Sequence, residues 1–206
     1  MPRSAPTRQH GSVVNRNRRR GAFPGSFNPL TIAHLEIARR AREEHELAEV
    51  HLVVSEVALD KPSPPGPSFA DRIALLTADA DEFDWLFVRT TTEKLIVDIA
   101  RHYDVVIMGA DKWAQVNNVD YYESPAHRND ALRRLPQVVV ARRSNADVPN
   151  EVSLDIADRF LDVSSTRARS GDRSLMAPHA AAYWSSIAPD DLGADAGHHD
   201  TAGDIP

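Results

Sequence analysis

The sequence predicts one α/β domain, an open parallel sheet with helices on both faces. Short continuous apolar runs rich in β-branched residues alternate with helix-length segments whose apolar residues fall three and four apart. The length, 206 residues, suits one domain with trimmings at its ends. Composition is that of a globular chain, 42% hydrophobic and 26% charged. It excludes a wholly disordered chain, a coiled coil and a membrane bundle. No stretch approaches the roughly 20 apolar residues of a bilayer span.

Taken in order, residues 1–19 are expected to be a disordered leader. Six arginines (Arg3, Arg8, Arg16, Arg18, Arg19, Arg20) stand in the first twenty positions without one acid. The segment lacks the apolar run of a secretory signal, and Val13 and Val14 are too few for an amphipathic transit helix. An anion-binding arm is the alternative. The domain itself is expected over residues 20–188. Strands are predicted over 50–57 (VHLVVSEV), 85–90 (WLFVRT), 104–110 (DVVIMGA) and 137–142 (QVVVAR), each continuous enough to be buried on both faces. Helices are predicted over 31–47, 68–80, 91–103 and 126–135, the third capped by Thr91-Thr92-Glu93. A weaker strand is expected over 159–163, then a helix start at Ser164, and a last helix in which Tyr183 and Trp184 pack. Residues 189–206 read as a disordered acidic tail, with His198 and His199 solvated.

Lys plus Arg is 24 against 30 Asp plus Glu, a net charge of −6, so general nucleic-acid binding is not expected. There is no cysteine, which removes disulfides, thiolate zinc sites and cysteine nucleophiles and agrees with a cytoplasmic protein.

Ligands of open parallel sheets sit beyond the carboxyl ends of the strands. The first loop there, residues 21–34, is the most informative part of the chain. Gly25 permits a turn and a close approach of backbone to ligand. Asn28 before Pro29 makes a helix start, and Thr31 is an alternative cap. Either choice puts His34 near the first turn, where free N–H groups and the dipole attract anions. The loop is a phosphate cradle, or a plain strand–turn–helix connection whose histidine packs.

Gly25-Ser26-Phe27-Asn28-Pro29 followed by Thr31-Ile32-Ala33-His34 resembles the (H/T)xGH signature of the nucleotidylyltransferase superfamily. Val163-Ser164-Ser165-Thr166-Arg167-Ala168-Arg169 resembles its ISSTxxR signature. Met108-Gly109-Ala110-Asp111 is similar to the GxD step of the nicotinate and nicotinamide mononucleotide adenylyltransferases. Lys61, in a Pro-rich loop ahead of Arg72, resembles the cation that ends their substrate loop.

The resemblance implies a Rossmann-like sheet and transfer of an adenylyl group from ATP to a pyridine mononucleotide, with release of pyrophosphate, in NAD biosynthesis. His34 would donate to the α-phosphate, and Thr31 would hold a phosphate. Gly25, Ser26, Phe27, Ser164, Ser165, Thr166 and Arg169 would bind the nucleotide. Mg²⁺ would come with ATP, held mainly by phosphate oxygens and water. The superfamily also commonly forms homo-oligomers. Lys61, Gly109, Asp111, Trp113 and Arg142 are the candidate contacts to the acceptor. For these the alternatives are a stiff surface loop for Lys61, a helix cap for Asp111, core packing for Trp113 and a solvated side chain for Arg142. Arg72 is expected to form a salt bridge on its own helix.

Three positions depart from the pattern. Thr31 stands where pyridine-nucleotide enzymes have histidine and pantetheine-phosphate enzymes have threonine, Ala33 replaces glycine, and Asn28 replaces the commoner aspartate. They keep open transfer to another phosphorylated acceptor, phosphopantetheine first, a cytidylyl donor, and a non-catalytic nucleotide-binding protein.

Overall fold

A computed structural model describes residues 19–56, 66–143 and 147–187. Residues 1–18 of the leader, residues 57–65 with Lys61, and the acidic tail lie outside the described residues. Six strands form one parallel sheet in the order β3-β2-β1-β4-β5-β6. They are β1 (Arg20–Pro24), β2 (Glu49–Ser55), β3 (Leu86–Thr91), β4 (Val105–Gly109), β5 (Gln137–Ala141) and β6 (Ser153–Leu154). The helices are α1 (Ile32–Glu44), α2 (Phe69–Ala80), α3 (Ile96–Ala100), α4 (Ala110–Asn117), α5 (Pro125–Arg133), α6 (Ser165–Arg169) and α7 (Pro178–Ser186). This is the Rossmann-like arrangement the sequence predicts.

Period-2 alternation splits β4 between two cores. Val105 and Ile107 pack with Ile37, Ala38 and Ala41 of α1 and with Leu76 and Ala80 of α2. Val106 and Met108 face the other way, onto Ala100, Ala110 and Val116 of α3 and α4. A strand of this kind is apolar at every position because both of its faces are covered.

Four expectations are corrected. Residues 159–163 are not a strand: Asp158–Phe160 is a 3₁₀ turn, and the sixth strand is the two-residue β6 upstream. The helix expected over 91–103 shrinks to α3, because Thr91 is the last residue of β3 and its hydroxyl accepts from the Glu93 amide in a local turn. Thr31, not Asn28, caps α1. Arg72 makes no salt bridge among the described residues; its guanidinium lies 5.4 Å from the centroid of the Phe69 ring.

The last helix is docked by one buried acid. Asp79, 2% exposed, accepts from the amides of His179 (2.9 Å) and Ala180 (3.3 Å) at the start of α7. Asp79→Ala is expected to lower stability by about 1–3 kcal/mol, because two buried amides lose their acceptor. A urea titration checks this, and an unchanged midpoint would mean that α7 docks through Trp184 alone.

Candidate active site

The carboxyl ends of the central strands open into one cleft of about 640 Å³, the size of ordinary small-molecule sites. Its middle is the β1–α1 connection. Gly25, Ser26, Phe27, Ala33 and His34 all line it.

His34 is N3 of α1 and completes a capping box with Thr31. The Thr31 amide donates to His34 Nδ1 at 3.1 Å. The Thr31 hydroxyl accepts from the His34 amide at 3.3 Å and lies 2.8 Å from the same Nδ1. An Nδ1 that accepts from an amide carries no proton, so the ring proton sits on Nε2. Nε2 has no hydrogen-bond partner among the described residues. Burial, and after it the charge of Arg143, hold the His34 pKa down to about 4. The imidazole at neutral pH is therefore neutral, of fixed tautomer, with an N–H to offer.

The ring is wedged by aromatics: Phe27 stands edge-on to His34 at 5.2 Å between centroids and Phe23 at 6.0 Å. Phe27 reaches that place with φ +45°, in the left-handed region. Gly25 is needed for a different reason than backbone freedom. A Cβ on Gly25 would lie 2.8 Å from the Phe27 ring. Gly25→Ala is expected to push Phe27 against His34 and to lower turnover at least tenfold, since about 1.4 kcal/mol of misplacement is a factor of ten. Wild-type turnover in that variant would show that the Phe27 wedge is dispensable.

The two signature segments are locked to each other. Ser165 Oγ donates to the Pro29 carbonyl at 2.8 Å across 136 residues of chain, and Arg169 Nη1 donates to the Asn28 carbonyl. Arg169 Nη2 also donates to Thr166 Oγ1, and the Ser164 hydroxyl caps α6 by accepting from the Arg167 amide. Of these four, Ser165 lines the cleft. Thr31 is fully buried behind His34, so it meets the imidazole.

The other expected contacts separate. Gly109 and Asp111 line the cleft, and a Cβ on Gly109 would have open space around it. Trp113 is absent from the lining and packs with the α3–α4 core. Arg142 borders the cleft, but its guanidinium is held by Asn150 (2.6 Å), Ser153 (3.2 Å) and Asp155 (3.6 Å). The cation near His34 is its neighbour Arg143, 3.5 Å from Asp111. In the sequence only the pair of arginines after β5 marked that place. Arg72 also lines the cleft and had no sequence signal beyond its charge.

Residues 22–171 match the cytidylyltransferase-like family. The chain belongs to that family. A probable nicotinate-nucleotide adenylyltransferase of Gloeobacter violaceus is 25% identical over 198 residues, which cover 84% of this chain and 91% of the relative. A phosphopantetheine adenylyltransferase of Dinoroseobacter shibae is 34% identical over 85 residues, 39% of this chain and 47% of the relative, so that match spans about half the relative's length. A Plasmodium falciparum nicotinic acid mononucleotide adenylyltransferase complexed with NaAD superposes with a TM-score of 0.55 at 14% identity, covering 74% of this chain and 83% of that one. That likeness shows a shared fold.

In this cytidylyltransferase-like chain His34 and Ser165, one from each of the two segments, line one cleft. Among the described residues no group of three or more His, Asp or Glu is placed to hold a metal ion. Asp111 and Glu56 stand at the cleft singly. That donor set fits a Mg²⁺ carried in by a triphosphate, which takes most of its oxygens from phosphate and water. Among the described residues no helix is long and apolar enough to cross a membrane.

Proposed function

We propose that the protein joins ATP to a pyridine mononucleotide, nicotinate or nicotinamide, to give the dinucleotide and pyrophosphate. The observation that carries this reading is His34, a neutral Nε2–H donor fixed at the middle of the cleft. In the reaction an oxygen of the acceptor phosphate forms a bond to the α-phosphorus of ATP. The bond from that phosphorus to the bridging oxygen breaks, and pyrophosphate leaves with the electron pair. Little covalent work falls to the protein. His34 donates to the α-phosphoryl oxygen as negative charge builds there. Thr31 sets the tautomer and aim of that donor. The chain around α6 receives the triphosphate, with Ser165 at the cleft and Arg169 bracing the loop. Arg143 adds positive charge from the β5 side. Bound Mg²⁺ would neutralise phosphate charge. Lys61 is a further acceptor contact in this reading, and a cytoplasmic setting goes with it.

Phosphopantetheine is the second acceptor to consider, favoured by Thr31 and by the 34% identity to the Dinoroseobacter relative. Pyrophosphate release with Mg²⁺ separates the two. ATP and CTP are each offered with nicotinate mononucleotide, nicotinamide mononucleotide and phosphopantetheine. Release with ATP and one pyridine mononucleotide is expected. Release with phosphopantetheine alone would replace this reading by the second. Nucleotide binding without release from any pair would leave a non-catalytic binder.

A further inference from the structure

Among the charged side chains at the cleft that have no part in that account, Arg72 stands apart by its surroundings. Arg72, in the first turn of α2, lines the same cleft as Gly25, Ser26 and His34. It makes no hydrogen bond or ion pair with a described residue, and its Nε is enclosed without a partner. Next to it lies a small space of about 10 Å³ shared with Asn28, whose Oδ1 is also buried and unpartnered. The carboxylate that borders this space, Asp79, is committed to the α7 amides. Residue 28 is itself an amide, where an acid would have answered the guanidinium. Desolvation, unopposed by any carboxylate, holds the Arg72 pKa below the ordinary arginine range. A guanidinium kept partly dry and unpaired beside a cleft is costly until an anion arrives.

We propose that Arg72 binds the phosphate of the acceptor, as a specificity-determining residue for the adenylyl transfer on which this assignment rests. In-line displacement needs the attacking phosphate and the departing pyrophosphate on opposite sides of the α-phosphorus. The triphosphate is assigned to the chain that follows β6, at one end of the strand order. Arg72 follows β2 toward the other end, and His34 follows the central β1 between them. The planar fork of a guanidinium can both hold a phosphomonoester and aim its free oxygen, which a lysine point charge does less well.

Calorimetric titration of the full chain tests this with wild type, Arg72→Lys and Arg72→Met. The ligands are each pyridine mononucleotide, its dephosphorylated nucleoside, phosphopantetheine with its dephosphorylated form, and ATP with Mg²⁺. In Arg72→Met the Kd of the phosphorylated acceptor should rise roughly 10–100-fold, while nucleoside and ATP stay within about twofold. Steady-state assays should place the loss in the acceptor KM more than in kcat. Arg72→Lys, which keeps stem and charge if the methionine variant folds poorly, should show an intermediate loss confined to phosphorylated acceptors. Equal weakening of phosphorylated and dephosphorylated ligands would reduce Arg72 to a packing partner of Phe69 and overturn the proposal. Weakening confined to ATP would overturn it too. If wild type binds phosphopantetheine and neither mononucleotide, the pyridine reading fails. Arg72 then stands or falls by the same phosphorylated-to-dephosphorylated ratio on that ligand. A wild type that binds none of the three overturns both.

Discussion

Replacing His34 by alanine is expected to cut kcat by about 10²–10³-fold while ATP affinity stays near wild type. The reason is timing. A donor fixed on the position where charge develops contributes to the transition state more than to the bound ground state. The His34 Nε2–H is fixed in this way, because the Thr31 amide and hydroxyl occupy Nδ1 and the rings of Phe23 and Phe27 limit rotation. Turnover within tenfold of wild type would remove His34 from the chemistry. A matching loss of ATP affinity would make it a plain binding group.

A second large effect is expected in the pH dependence of stability. The His34 pKa is lowered to about 4 in the fold, by burial first and by Arg143 second, against 6.5 for a solvated imidazole. Between these values the unfolded chain binds a proton at His34 and the folded chain does not. The unfolded state takes up more protons there, so stability rises with pH across the window. The contribution is fully present above 6.5, is lost as pH falls toward 4 and levels off below it. About 1.4 kcal/mol per pKa unit makes the whole step about 3 kcal/mol. Urea titrations of wild type and His34→Gln from pH 7 to pH 4 measure it. The glutamine variant should lack this share of the slope, and identical slopes would mean that His34 titrates normally in the fold. The same depression implies that acidification through pH 6.5 does not by itself silence the donor.

The sheet was legible because β2, β4 and β5 are continuous Val-, Ile- and Leu-rich runs, the pattern that two covered faces impose. β1 was harder: RGAFP holds a glycine, a proline and no β-branched residue, and its burial comes from neighbours on both sides. β6 pairs through two residues only, too short for a period to register, while the apolar 159–163 segment next door faces Ala33 from a 3₁₀ turn. α4 was hidden because it begins at the last residue of the apolar run 104–110, with no punctuation between strand and helix.

At the site, His34 and the two signatures could be read from short local patterns. The roles of Thr31, Phe27 and Arg143 could not. A threonine near a histidine does not announce which of its atoms meets the ring, and a φ of +45° at a phenylalanine contradicts local preference. The choice between Arg142 and Arg143 depends on which one Asn150, Ser153 and Asp155 capture, all of them later in the chain.

The bonds from Ser165 and Arg169 to the Pro29 and Asn28 carbonyls, with the Ala177 amide on the Leu30 carbonyl at 3.0 Å, set an order of assembly. His34 leaves the ribosome early, but the loop that aims it is fastened only by residues made near the end of synthesis. A nascent chain or a fragment that stops after β5 carries the donor with Thr31, Phe23 and Phe27 around it, and none of the three later bonds that fasten its loop. A chain that ends before α6 is expected to leave free the loop that carries a histidine more than a hundred residues away.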